Sequence, residues 1–377
     1  MSNSDGCGLS DLTLSIQKVL YFLAYYIILP IYFVLGLSGN IALLVAFYKQ
    51  SKSEAAYAYQ VFLTVSETLE IFFSSLFWWG YKWNAGVEGP GQNWYMNNYT
   101  LMFYAAHVGC PLANGFVVTS LLLSVAMTAD RVFALGKPII YKHIDHKKHQ
   151  LIALITCLSI GLSTSVFEVK RWHVLTSENN STTLYTVKYN EDYLNTNLAM
   201  ILGHTRTAVR LLGVVILVIF NIWMVVAFKN RSMKVRQMVI PSESKDQERK
   251  AADKTLLILT ISQSLLMALA QLPHSGYFIA AFISASFSRC YGIVVAPIAD
   301  SCIQIADAAD FFVIISVNQK VRRAVTDLLL SCFGKNHSKP RVQHVRSNRY
   351  SAGMEGWKST SPSPLPPRGS IFMVTQM

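Results

Sequence analysis

A chain of 377 residues with 52% hydrophobic and only 14% charged side chains cannot present the charged surface of a soluble domain, which usually carries about a quarter. Its formal charge of +12 would suit a nucleic-acid binder, but most of the charges flank apolar runs, and that class is excluded. Met1 to Ser10 hold neither a basic n-region nor a small-residue cleavage site. No removable signal peptide is expected, and the first apolar run should act as an uncleaved anchor.

A helix needs roughly 20 apolar residues to cross the hydrocarbon core. After a short N-terminal segment at 1–18, seven stretches meet or approach that length: 19–48, 59–79, 102–133, 149–167, 198–228, 255–283 and 291–317. The expected fold class is all-α: a seven-transmembrane helix bundle with short connectors and no internal repeat. Residues 318–333 place Val321, Val325, Leu328 and Leu329 on one face and Lys320, Arg322 and Arg323 on others. That pattern predicts a short amphipathic eighth helix on the inner leaflet. Cys332 closes it, either as a palmitoylation site or as an unmodified thiol. The basic, Ser/Pro-rich tail at 334–377 cannot bury enough apolar surface to fold and is expected to be a disordered cytoplasmic segment.

Lys and Arg concentrate on cytoplasmic loops. With the N-terminus outside, the inner loops hold Lys49, Lys52, Lys137, Lys142, Lys147, Lys148 and the run from Lys229 to Lys254. The outer side holds few: Lys82, Lys170, Arg171, Lys188 and Arg289. The sequons at Asn98, Asn179 and Asn180 fall on that outer side, as glycosylation requires. The expected location is therefore the plasma membrane, multi-pass, N-terminus outside.

Ionisable residues inside spanning helices are costly and point to function. Glu67 lies in the second stretch, Asp130 and Arg131 end the third, and Asp307 and Asp310 lie in the inner half of the seventh. Around them the chain resembles the rhodopsin-like (class A) G-protein-coupled receptors. Ser38-Gly39-Asn40 is similar to their Gly-Asn pair. Leu63-Thr64-Val65-Ser66-Glu67-Thr68-Leu69 resembles Leu-Ala-x-Ala-Asp-Leu, with Glu67 for aspartate. Asp130-Arg131-Val132 resembles Asp-Arg-Tyr, with Pro138 at the family's distance. Pro273 stands at the sixth-helix kink, and Asp310-Phe311-Phe312-Val313-Ile314 fills the slot of Asn-Pro-x-x-Tyr. Within the class, Pro111-Leu112-Ala113-Asn114, Ser66-Glu67-Thr68-Leu69, Phe167-Glu168 and Phe220-Asn221-Ile222 resemble invertebrate FMRFamide-type peptide receptors. The resemblance covers roughly 38–330.

The resemblance implies a receptor for an extracellular peptide, amidated in that family, that signals to a heterotrimeric G-protein. Arrestin and a receptor kinase are further implied partners through the tail. Arg131, held by Asp130, would be the switch. Asp253 would clamp it in the resting state, or else belongs to the solvated run 243–254. Asn40, Glu67, Ser120, Asp307 and Asp310 would form a buried polar network. Two acids in a low-dielectric site need a cation or a shared proton, so sodium, proton sharing and a structural network all stay open near Glu67. No other cofactor and no metal is expected, nor is a nucleic acid; the remaining partner is membrane lipid.

For the ligand pocket the candidates are Asn114, Glu168, Arg206, Arg210, Gln271, His274, Asp300 and Gln304. Arg206 and Arg210 share a helical face. They could meet a ligand carboxylate or pair with Glu168 or Asp300, and Arg206 could instead snorkel outward. Ala113 argues against a monoamine ligand and Gln304 against retinal.

The chain departs from the family at several points. Cys110 lies about a turn deeper than usual, and 172–197 contains no cysteine, so the family's bridge from the third helix to the second outer loop cannot form. Cys7 with Cys290, or free thiols, are the alternatives. Gln271, Gly213 and Ile314 replace the usual tryptophan, proline and tyrosine. No nucleophile–base constellation or phosphate loop appears, so no enzyme is expected. A chemosensory receptor for a small environmental ligand and a seven-helix transporter are the competing functions.

Overall fold

The computed structural model describes residues 15–16, 19–20, 22–51, 56–85, 98–179, 182–194, 196–238, 244–283 and 285–332, with 25, 56, 76–85, 177–179, 182, 184, 186, 188–189, 194, 231–232, 234–238, 244–253, 278, 281–283, 285–294, 296–297 and 332 described by backbone alone. The chain is built of long helices. They are α1 (Leu29–Ser51), α2 (Ala56–Ala85), α3 (Tyr99–Gly136), α4 (His146–Ser163), α5 (Asn197–Met238), α6 (Ser244–Ile283), α7 (Ala285–Val317) and α8 (Gln319–Cys332). A π-helical stretch, Phe22–Ile28, leads into α1, and another, Ala105–Gly109, lies within α3 just before Pro111.

Five helices are long and apolar enough to cross a membrane: Tyr26–Ser51, Tyr99–Gly136, His146–Lys170, Asn197–Asn230 and Lys254–Tyr277. The other two long ones carry the buried acids. Glu67 and Glu70 in α2, and Asp300, Asp307 and Asp310 in α7, lower the apolar character of those segments. The outward faces of α1, α4 and α5 expose Ile41, Ile155, Val215, Ile219 and Ile222. Apolar side chains in rows of this kind belong against lipid rather than water. The chain is a helical membrane protein.

Helix α3 is the hub, packing against α2, α4, α5 and α6, while α1 packs on α2 and α7, and α7 on α6. Its contact with α4 is the tightest. A Cβ built on Gly161 would lie 2.1 Å from Thr119 Oγ1 and 2.6 Å from the Gly115 carbonyl oxygen. Small residues let helix backbones approach this closely. At the inner end, Phe47 and Tyr57 pack with Ile314, Val321 and Val325, which fastens α8 to α1 and α2. Asn318 caps α8 through its Oδ1 and donates from Nδ2 to the Tyr57 hydroxyl at 3.2 Å.

The sequence does not announce one element, a hairpin of β1 (Trp172–Asn179) and β2 (Thr182–Tyr189), antiparallel from Trp172↔Tyr189 to Asn179↔Thr182. Its signal is present in retrospect. Val174 and Thr176, then Thr183, Tyr185 and Val187, supply β-branched and aromatic residues at alternate positions about a short polar turn. Trp172 and Val187 bury against Met102, Ala105, Ala106 and Cys110. This contact, with the His107 Nδ1 to Val169 carbonyl hydrogen bond of 2.6 Å, holds the hairpin and the turn before it to α3. Cys110, Cys157 and Cys302 are free thiols. Cys7, the Cys290 side chain and the tail at 334–377 lie outside the described residues, as does Asn180. Asn179 ends β1, and Asn98 is exposed and caps α3, its Oδ1 accepting from the Leu101 amide. Cys332 ends α8, its side chain undescribed.

Candidate functional site

Three polar regions follow one another from the outer end of the bundle to the inner. The outermost centres on Glu168, in the short 3-10 turn Val166–Lys170 that closes α4, and only 1% exposed. Its Oε1 accepts from Arg171 Nη1 at 3.0 Å and from Arg206 Nη1. Its Oε2 accepts from Asn114 Nδ2 at 2.9 Å and from Cys110 Sγ at 3.5 Å. Arg206 is therefore neither snorkelling nor open to a ligand. It is buried, ion-paired and packed over the Phe167 ring. Arg210, one turn deeper, donates from Nη2 to Asn114 Oδ1 at 3.1 Å.

Below this pair of arginines a cavity opens between α1, α2, α3, α5, α6 and α7. Asn114, Arg210, His274, Asp300 and Gln304 line it, together with Tyr32, Glu70, Ser74, Cys110, Ala113, Val117 and Ile303. Its empty space, including the open mouth and the solvent in it, is about 470 Å³. Gln271 does not line it. That side chain is fully buried beside Met267, toward which its Nε2 points. Of the wall residues not expected from sequence, Glu70 is one that left a signal there. It stands three residues after Glu67 on α2, so the same face carries both acids.

The second region is acidic. Tyr32 donates to Asp307 Oδ2 at 3.3 Å. Glu70 lies beside Asp307, and Glu67 beside Asp310. All four acids are buried, and among the described residues no basic side chain pairs with them. Buried carboxyl groups gathered in this way are tolerable only with a shared proton or a cation between them. Ser120 is buried here but donates to Ser66 Oγ at 3.0 Å rather than to an acid. Asn40 is fully buried, neither amide atom hydrogen-bonded. Deeper still, Gln263 Nε2 reaches Asp310 Oδ2 at 3.5 Å and Gln263 Oε1 accepts from Gln60 Nε2 at 2.6 Å. A polar file thus runs from the cavity wall toward the inner half of the bundle.

Replacing Glu67 by Gln together with Asp307 by Asn removes one acid from each pair while keeping size. The double variant is expected to unfold within about 1 kcal/mol of the parent, or later, because neutral groups replace protonated ones. Thermal unfolding of the purified chain measures this. A loss of several kcal/mol would mean the carboxylates are ionised around a cation.

The innermost region ends α3. Arg131 Nη2 lies 3.6 Å from Asp130 Oδ2, and Tyr141 donates to the same oxygen at 2.9 Å. Tyr141 belongs to the turn Pro138–Lys142, which Pro138 opens with its fixed φ. Burial first, then neighbouring Asp130, raises the pKa of this hydroxyl above its ordinary range, so Tyr141 remains a donor. Val132, Met224 and Leu257 pack around this end of the bundle. The Asp253 side chain, proposed as a clamp on Arg131, lies outside the described residues. Pro273 sits inside α6, where it removes one backbone donor.

No protein-family model matches the chain, and no curated protein matches it.

Proposed function

We propose that this chain is a rhodopsin-like G-protein-coupled receptor of the plasma membrane, with seven spans, its N-terminus outside and α8 lying on the inner leaflet. Its ligand is an extracellular peptide, and its output is nucleotide exchange on a heterotrimeric G-protein. The observation that carries the reading is the Asp130–Arg131 ion pair with Tyr141 at the inner end of α3, opposite a polar cavity lined from the same helix. A basic group held by a neighbouring acid at one end, and a concave polar wall at the other, are the two sites that an allosteric switch requires. The buried acids and glutamines between them give the bundle two ways of distributing protons or a cation, hence two states to bias. Motif order along the chain, from Asn40 to Asp310, supports the same reading.

Tyr141→Phe deletes one charge-assisted bond to Asp130 and leaves the ion pair. Loss of about 1.5 kcal/mol from the resting state should raise ligand-independent exchange roughly tenfold where that state dominates. An unchanged basal rate would remove Asp130–Tyr141 from the switch.

Screening neuropeptides, both amidated and with a free carboxylate, on cells expressing the chain tests the ligand class; a response confined to small odorants would replace the peptide with an environmental ligand. The modest cavity favours that second reading, since it admits one side chain or a small molecule rather than a folded peptide. A transporter reading draws on the file of buried acids. Ligand-independent charge movement through reconstituted membranes would establish it and displace the receptor.

A further inference from the structure

Buried arginines must be matched, because the guanidinium stays charged and an unpaired buried charge costs several kcal/mol. Glu168 matches Arg206 and Arg171, and it is then full. A carboxylate offers about four acceptor positions, and Arg171, Arg206, Asn114 and Cys110 occupy them. Asn114 passes one amide hydrogen to Glu168 and offers its oxygen to Arg210. Among the described residues that oxygen is the one hydrogen-bond acceptor Arg210 meets. Its Nε and Nη1 are buried with no hydrogen-bond partner, on a side chain only 2% exposed that lines the cavity. Glu70 and Asp300 line the same cavity, yet Nε and Nη1 bond to neither; Glu70 is turned to Asp307.

We propose that the cavity takes its ligand through a carboxylate seated on Arg210. Nη2 has a second hydrogen, and together with Nη1 or with Nε it makes one of the two edges of the guanidinium that a carboxylate binds in a planar, charge-assisted arrangement. A carboxamide is neutral and does not meet this need, so the part of the ligand that enters here is an acid: a peptide's free carboxylate or a small organic acid. The inference rests on the reading of this cavity as the ligand site, but direct binding tests it without any signalling readout.

The test uses the full chain purified in detergent and follows thermal unfolding with four probes: the tripeptide Gly-Gly-Phe as acid and as amide, and phenylacetate and phenylacetamide. The two acids are expected to raise the unfolding midpoint of the parent chain and the two amides not to. Arg210→Gln should weaken the acids by about tenfold or more, the usual effect of losing a hydrogen bond to a charged group. Arg210→Lys, which keeps the charge but not the fork, should retain a reduced shift. A stronger effect of the tripeptide acid assigns the site to peptides, and a stronger effect of phenylacetate to small acids. If Arg210→Gln does not fold, the acid–amide comparison on the parent chain still decides. Equal shifts from acid and amide, no shift from either acid, or shifts that survive in Arg210→Gln overturn the proposal. Failure of the receptor reading would show separately, in nucleotide exchange.

Discussion

Glu168→Ala is expected to be the most damaging single change in the outer half of the bundle, lowering stability by about 3–5 kcal/mol. Four donors converge on this one carboxylate. Removing it leaves Arg206 charged, buried and without its ion pair, and it frees the loop from α3. Arg171 suffers less, because it is partly exposed and can turn to water. The loss is electrostatic rather than steric, which gives a specific control. Glu168→Leu combined with Arg206→Met replaces the pair by apolar groups and should recover most of the stability, since such replacements are often neutral or better. Thermal unfolding of the three purified chains measures both expectations. If the double variant is as unstable as Glu168→Ala, the ion pair is not what the site depends on.

Gly161→Ala has the second-largest expected effect. The added methyl would overlap the Thr119 hydroxyl, 2.1 Å away, and the Gly115 carbonyl oxygen, 2.6 Å away. The hydroxyl can rotate, but the carbonyl is backbone, so α3 and α4 must separate. Overpacking of this kind costs about 1–3 kcal/mol and sometimes more, and here it would also shift the helix that carries Asn114 and Arg131. Gly161→Ala with Thr119→Ala separates the two obstacles. The double variant should remain destabilised, as judged by unfolding midpoint and by the yield of folded chain. Full recovery would mean that the hydroxyl alone sets the spacing.

The helical character of the chain was legible because apolar length and the scarcity of charge leave a spanning helix little alternative. Helix limits were less so. Apolar content ends at 228 and begins again at 255, yet α5 runs to Met238 and α6 starts at Ser244, since charged residues such as Lys229, Lys245 and Lys250 are good helix formers in water. At the site, Asn114, Arg210, His274, Asp300 and Gln304 were suspected from their helical positions, and they do share one cavity. The distinction between Arg206 and Arg210 was not readable. Both lie on one face of α5, and what separates them is Glu168, whose place depends on how the outer loop folds onto α3. Gln271 faces the bundle interior, as its position on the helix implies, but it lies beside Met267 and not on the cavity wall. Glu70 and Tyr141 lie just beyond the resembled motifs, which stop at Leu69 and at Pro138. The fourfold occupancy of Glu168 also could not be anticipated, because its donors come from α3, from α5 and from the turn beside it.

Guanine-nucleotide exchange on heterotrimeric G-protein, in membranes holding the full chain and its Arg131→Ala variant, tests the central claim most directly. The account predicts that a carboxylate-bearing peptide from a screened set accelerates exchange through the parent chain, and that Arg131→Ala abolishes the acceleration while still binding the peptide. Exchange that is indifferent to every peptide, or that proceeds equally through Arg131→Ala, would contradict it.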